Sequence, residues 1–191
     1  MIGVIDLNND NALIENVLKG DIDSFSVLVL RYQGKLYNFL QKMNLSSQDA
    51  EEITQEAFIK AYNNLYRYSS KWSFSTWLYR IAVNTLRSEY KKKKKIGLVD
   101  YYADAQDIAC NNAISPDLLY EIKEQATEII KLIDSLNEDQ KLAFTLKYVQ
   151  DFSFKEIGDI LGISPGAAKM KIQRAKQTLC KNFEKLQKEC V

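Results

Sequence analysis

The chain contains no histidine, three cysteines, two prolines and seven glycines in 191 residues. The cysteines are odd in number and form no CxxC pair; they are Cys110, Cys180 and Cys190. Without histidine to join them, they argue against a zinc site and against a disulfide scaffold. Because glycine and proline are scarce, long segments have no helix breaker, which favours an all-α fold.

The sequence also lacks the signatures of membrane insertion, export and catalysis. It has no run of about 18 apolar residues and no basic segment at its start, so we expect a cytoplasmic protein without membrane contact of its own. It has no glycine-rich phosphate loop and no cluster of metal-ligating residues. We therefore expect no catalytic residues, no metal site and no cofactor.

Charge is distributed in blocks, although the net charge is only +1. The segment 80–95 is basic and ends in five lysines, the segment 99–128 is acidic, and the chain from Ser164 onward is basic again. This alternation predicts two basic units separated by an acidic linker. A hydrophobic content of 46% is sufficient for two small cores.

Two consecutive helices of opposite character are predicted in the first unit. The segment QDAEEITQEAFIKAYNNL places apolar residues at helical spacing and carboxylates elsewhere on the cylinder, with Ser46 or Ser47 as its cap. The segment FSTWLYRIAVNTLRSEY begins after a cap at Ser73, and its predicted apolar stripe comprises Phe74, Trp77, Leu78, Ile81, Ala82 and Thr85. A face that carries Arg80, Asn84 and Arg87 leads into the lysine run. The acidic face has an alternative interpretation as an ordinary solvated surface, and the lysine run as a solvated helix end.

Aromatic residues are concentrated before the basic helix. Tyr66, Tyr68 and Trp72 lie among cations in a predicted loop, where aromatic rings can stack on unpaired bases. Packing in the core is the alternative, and it fits Phe74 and Trp77 better.

The pattern near the C-terminus is typical of a helix-turn-helix. Ser153 is placed to cap a short helix, Gly162 supplies a left-handed residue, and Ser164 with Pro165 opens a second helix. A plain αα-hairpin is the alternative. The exposed face of the second helix favours DNA, because its residues are cationic or amide-bearing.

These motifs, in this order, closely resemble bacterial RNA polymerase sigma factors of the extracytoplasmic-function (ECF) type, in the sigma-70 family. The segments that carry the resemblance are DAEEITQEAFIKAY, FSTWLYRIAVN and EIGDILGISPGAAKMKIQRAK. The resemblance implies two small helical domains joined by a flexible acidic linker at 96–117. The first is an N-terminal helical bundle at 11–95 (region 2), and the second is a C-terminal helix-turn-helix domain at 118–190 (region 4).

The resemblance also implies function and partners. It implies an alternative sigma factor, not an enzyme, that binds core RNA polymerase and directs promoter-specific transcription initiation. The expected partners are the clamp coiled coil of the largest polymerase subunit, the polymerase flap, promoter DNA and an anti-sigma factor. A stand-alone helix-turn-helix regulator is the alternative, but it leaves the acidic helix without a role.

Three sets of site residues follow from the resemblance. The core polymerase-binding set lies on the acidic helix and comprises Asp49, Glu52, Gln55, Glu56 and Ile59. The set for the minus-10 promoter element lies in the aromatic loop and basic helix and comprises Tyr66, Tyr68, Lys71, Trp72, Arg80, Asn84, Arg87, Ser88 and Lys91. The set for the minus-35 element lies at and after the turn and comprises Ser164, Gly166, Lys169, Lys171, Gln173, Arg174 and Lys176.

The sequence departs from the family pattern at the start of the second helix. Ala167 and Ala168 stand where the family usually has Thr-Val, which removes a hydroxyl that can contact phosphate. The five lysines stand where arginines are frequent, so bidentate contacts are replaced by point charges there.

Overall fold

The computed structural model describes residues 9–95 and 129–189, and within these ranges every regular element is a helix. The predicted linker at 96–117 lies outside the described residues. The predicted all-α class is confirmed. The helices, numbered in chain order, are α1 (Asp10–Leu18), α2 (Asp23–Gln41), α3 (Ser47–Asn63), a short 3-10 helix (Leu65–Arg67), α4 (Phe74–Lys95), α5 (Glu138–Tyr148), α6 (Phe154–Leu161) and α7 (Pro165–Glu189), with further helical residues at 129–134.

The helix starts follow the capping residues that the sequence predicts. The Ser46 side chain accepts a hydrogen bond from the Asp49 backbone N–H, and Ser73 accepts one from a backbone N–H in the first turn of α4. Ser153 forms a full capping box with Glu156, in which each side chain binds the other residue's backbone N–H. These local hydrogen bonds satisfy N–H groups that have no partner inside the helix.

The helix-turn-helix is formed by α6 and α7. Gly162 ends α6 in the left-handed conformation, with φ 71°, as the turn requires. Ser164 then caps α7 by accepting from the Ala167 N–H at 3.1 Å. Gly158 is a second glycine that the turn needs, because a Cβ built there would lie 2.7 Å from the carbonyl oxygen of Ile163.

Helix α4 is buried on two sides. One face packs against α3 and, over a shorter length, α2, while another packs against α6 of the second unit. Tyr79, Val83 and Leu86 are at most 2% exposed, although the predicted apolar stripe omitted all three. In contrast, Trp77 and Ile81, which the stripe included, are only half-buried. The prediction was wrong here because one amphipathic stripe assumes one partner surface, whereas α4 has two.

Polar contacts fix the position of the second unit against the first. The hydroxyl of Tyr79 donates to the Gln150 side-chain oxygen at 2.6 Å, and the ring of Tyr79 packs edge-on against Phe152. The side chain of Lys141, in α5, is 6% exposed, and its ammonium binds Asn44 of the first unit and Asp134 of its own unit. Burial lowers the pKa of Lys141, against the opposing effect of Asp134.

Candidate nucleic-acid and protein interfaces

The exposed basic face of α4 carries four of the nine residues predicted for the minus-10 element. Arg80, Asn84, Ser88 and Lys91 are all exposed, and they follow one another along the helix. The Ser88 hydroxyl donates back to the Asn84 backbone carbonyl at 3.0 Å. This track presents positive charge and one amide to solvent over about three turns.

Arg87 is held differently from the other predicted residues of this face. It is half-buried, and its guanidinium donates to the Leu161 carbonyl at 3.3 Å. It also pairs with Asp139 at 3.5 Å. Both partners belong to the second unit, so Arg87 lies in the contact between the units.

In the aromatic loop, some aromatic residues pack inside the fold and others are exposed to solvent. Tyr68 is half-buried and packs edge-on against Phe74 and Trp77, and its hydroxyl lies 2.8 Å from the Trp72 carbonyl and 3.0 Å from the Asn11 side-chain oxygen. Tyr66 is 66% exposed. Tyr68 therefore stabilises the loop, while Tyr66 is presented to solvent.

Trp72 and Lys71, in the same loop, contact each other. The Lys71 ammonium lies 5.5 Å from the centre of the Trp72 ring, within the range of a cation–π contact. Trp72 is half-buried and Lys71 is exposed.

A cavity of about 760 Å³ lies between this loop and the start of α1. Trp72 and Lys71 line it on one side, and Asp10 with Arg31 and Tyr32 line it on the other. Asp10 forms an ion pair with Arg31 and accepts a hydrogen bond from the Tyr32 hydroxyl. Burial, and then the hydrogen bond to Asp10, raises the pKa of Tyr32. Sequence reasoning missed this cavity, because its walls are distant in the chain.

The outer face of α3 presents an acidic surface that includes an exposed apolar residue. Glu52 and Gln55 are exposed, Ile59 is 61% exposed, and Glu56 forms an ion pair with Lys60 at 2.7 Å. Ile59 thus adds apolar area to an otherwise polar and acidic surface.

Asp49, which was predicted for the same surface, is engaged within the fold. Its carboxylate pairs with Lys93 at 2.8 Å and accepts from the Ser46 hydroxyl. Burial acts to raise the pKa of Asp49, but the hydrogen bonds from Lys93 and Ser46 outweigh it and hold the pKa below its ordinary value. One member of the lysine run thus ties the end of α4 to the start of α3.

Helix α7 presents the residues predicted for the minus-35 element on its outer side. Its buried side carries Ala168, Ile172 and Ala175, as the spacing predicts. Lys176 is exposed, and its ammonium lies 4.9 Å from the centre of the Tyr148 ring. The other exposed members of the predicted set are Ser164, Gly166, Lys169, Gln173 and Arg174.

Lys171 is the half-buried member of this set. Its ammonium binds the carboxylate of Asp139 at 2.6 Å. That hydrogen bond, more than any other contact, holds the pKa of Asp139 below its ordinary value.

Family models match both helical units. The model described as Sigma-70 region 2 matches residues 28–96, and the model described as Sigma-70, region 4 matches residues 126–179. Two solved structures share the fold: CnrH in complex with the cytosolic domain of CnrY, and the sigma factor RpoE in complex with the anti-sigma factor NepR from Bartonella quintana. Both have a TM-score of 0.68, at 19% and 20% identity, and cover 92% and 84% of this chain and 97% and 96% of their own.

Relatives of higher identity match nearly the whole chain. The ECF RNA polymerase sigma factor SigW of Bacillus subtilis (strain 168) is 35% identical, over 91% of this chain and 96% of its own length. The ECF RNA polymerase sigma-E factor of Escherichia coli (strain K12) is 35% identical, over 89% of this chain and 92% of its own. No helix among the described residues is long and apolar enough to cross a membrane. The chain belongs to the ECF RNA polymerase sigma factors, alternative sigma factors that direct promoter-specific transcription initiation.

Proposed function

We propose that three surfaces of this sigma factor divide the work of initiation. The outer face of α3 binds core RNA polymerase, the aromatic loop and basic face of α4 engage the minus-10 element, and the outer side of α7 engages the minus-35 element. The observation that carries this proposal is the segregation of charge, because an acidic and apolar face on α3 stands apart from basic faces on α4 and α7.

The polymerase-binding role falls on Glu52, Gln55, Glu56 and Ile59. Ile59 supplies apolar area on this face, and the neighbouring polar groups set the orientation of the partner. The complementary partner surface is basic with an apolar recess, which fits the clamp coiled coil of the largest polymerase subunit. Asp49 contributes by holding the helix start.

The cavity beside the loop supports a role in holding an unpaired base of the minus-10 element. Its volume is large enough for a nucleobase, Trp72 offers a ring for stacking, and Lys71 is placed to bind the adjacent phosphate. Base capture favours the open strands, because a base held in the cavity cannot re-pair. The exposed track from Arg80 to Lys91 then binds the backbone next to it.

For the minus-35 element, α7 enters the major groove led by its N-terminal end. Lys169 and Lys176 contact phosphates, while Gln173 and Arg174 have the donors and acceptors needed to read base edges.

The remaining partners rest on the relatives. One solved structure contains CnrH with the cytosolic domain of CnrY, and the other contains the sigma factor RpoE with the anti-sigma factor NepR. By analogy this chain works in the cytoplasm, without catalytic activity of its own, binds the polymerase flap through its second unit, and is held inactive by an anti-sigma factor.

The proposed division of labour is tested by two substitutions with matched controls. Glu52→Lys places a cation on the α3 face and is expected to weaken binding to core polymerase at least about tenfold, since like charges repel across a complementary interface. Glu15→Lys, at an exposed acid of α1, is its control. Asn84→Ala is expected to reduce promoter-dependent run-off transcription while core binding is retained, with the exposed Asn38→Ala on α2 as its control.

A stand-alone regulator, the alternative function, predicts a different response to these substitutions. A regulator binds its operator without polymerase, and Glu52→Lys leaves its function intact. Equal defects of Glu52→Lys and Asn84→Ala in both assays would refute the proposed division.

A further inference from the structure

Asp139, in the first turn of α5, is shared by two cations that belong to different predicted DNA surfaces. The guanidinium of Arg87 lies 3.5 Å from one carboxylate oxygen, and the ammonium of Lys171 lies 2.6 Å from the other. Arg87 was predicted for the minus-10 element and Lys171 for the minus-35 element. In this structure both residues bind the same carboxylate.

The shared carboxylate lies at the edge of a packed contact between the units. Arg87 follows Tyr79 and Val83 at steps of four along α4, so the three side chains share one face. Tyr79 and Val83 are at most 2% exposed, and the Tyr79 ring and hydroxyl both contact the second unit. The Arg87 guanidinium also donates a hydrogen bond to the Leu161 carbonyl, next to the turn of the helix-turn-helix. These contacts keep Arg87 at Asp139.

This arrangement cannot persist on a promoter. The names of the two elements place them about 25 base pairs apart, which is roughly 85 Å along B-form DNA at about 3.4 Å per base pair. Two side chains that bind the same carboxylate cannot reach both elements. The units must therefore separate before both surfaces engage DNA.

We infer that Asp139 acts as an internal substitute for DNA phosphate, which keeps the free factor in a closed form and withholds Arg87 and Lys171 from DNA. Like a phosphate, the carboxylate offers two anionic oxygens, and it holds one cation on each. Binding to core polymerase separates the units and releases both cations. This inference rests on the proposed roles of α4 and α7, but it concerns the free protein.

The test compares two full-length variants that each remove one negative charge from the second unit. Asp139→Asn removes the shared carboxylate, whereas Asp151→Asn, at a side chain that is 98% exposed and lies 3.7 Å from Lys147, is the control for net charge. The probe is a labelled DNA duplex of random sequence, titrated by fluorescence anisotropy without polymerase. We expect Asp139→Asn to bind roughly threefold or more tightly than Asp151→Asn, as the loss of two partly exposed ion pairs implies. The slope of log affinity against log salt is expected to steepen by up to about 1.8, for two added phosphate contacts.

Two further measurements separate this inference from the proposed function. Run-off transcription with core polymerase tests only the proposed function. The Asp139→Asn variant is expected to support transcription as the wild type does. If transcription is normal but both variants bind the duplex equally, Asp139 is not a phosphate substitute. Small-angle scattering of the wild-type protein needs no variant: a compact profile supports the closed form, and an extended profile overturns it.

Discussion

Replacing Gly158 with alanine is expected to destabilise the helix-turn-helix, although the same change usually stabilises a helix. An alanine in a helix interior gains about 0.5–1 kcal/mol over glycine, because it loses less backbone entropy. At Gly158, however, the new Cβ would lie 2.7 Å from the Ile163 carbonyl oxygen and 3.3 Å from the Pro165 nitrogen. Both are backbone atoms and cannot rotate away.

The turn has to move to relieve this clash. Overpacking of this kind costs about 1–3 kcal/mol, which exceeds the helix gain, so we expect the free energy of unfolding to fall by about 1 kcal/mol and by at most about 2.5 kcal/mol. The turn also positions the start of α7, because the N–H groups of Gly162 and Ile163 both donate to the Gly158 carbonyl. We therefore expect the loss of affinity for a minus-35 duplex to exceed what the lower stability explains.

Gly34 provides the matched control. It lies within α2, and a Cβ built there meets no atom within 4 Å. Gly34→Ala is expected to raise the urea midpoint, followed by far-UV circular dichroism, whereas Gly158→Ala lowers it. If Gly158→Ala is as stable as Gly34→Ala, the close approach of α6 and the turn is not a constraint on this fold.

Three further changes test other parts of the structure. Tyr68→Phe keeps the ring packing but removes the hydroxyl at Trp72, so we expect slower promoter opening in a permanganate assay with unchanged core binding; unchanged opening would show that the hydroxyl does not hold the loop. Ser153→Ala removes the cap of α6 and is expected to cost about 1 kcal/mol in urea unfolding, and a cost near zero would contradict the capping box. Because the pKa of Asp139 is lowered in the folded state, its stabilising effect is present above the unfolded pKa near 3.9 and is lost as pH falls through the folded pKa. The stability difference between wild type and Asp139→Asn should therefore narrow below about pH 4, and a difference independent of pH would contradict this assignment.

Local signals made much of the fold predictable. Ser46, Ser73 and Ser153 cap the helices for which the sequence proposed them, and Gly162 takes the left-handed conformation that its position suggested. Each of these features depends on residues within about four positions in the chain, so a single sequence contains the information. The buried side of α7 was predictable for the same reason.

Features that depend on distant residues were not predictable from spacing. The second buried face of α4, which includes Tyr79, exists because α6 packs against it. The periodicity of α4 alone does not indicate that α6 is a packing partner. Asp49 looks like a free surface acid until Lys93 is brought beside it by the fold. The cavity at Asp10 likewise requires three elements to meet. The functional roles of all the predicted site residues stay predictions, and a distant neighbour changes the environment of several of these side chains.

The buried side chain of Lys141 lowers the free energy needed to separate the two units. While the units are joined, its ammonium is removed from water and bound to Asn44 and Asp134. When they part, water returns to the ammonium and to the amide, and this hydration offsets part of the free energy of exposing apolar surface. A contact made only of apolar side chains has no such compensation. The separation of the units that we infer therefore costs less free energy than the separation of an apolar contact of the same area would.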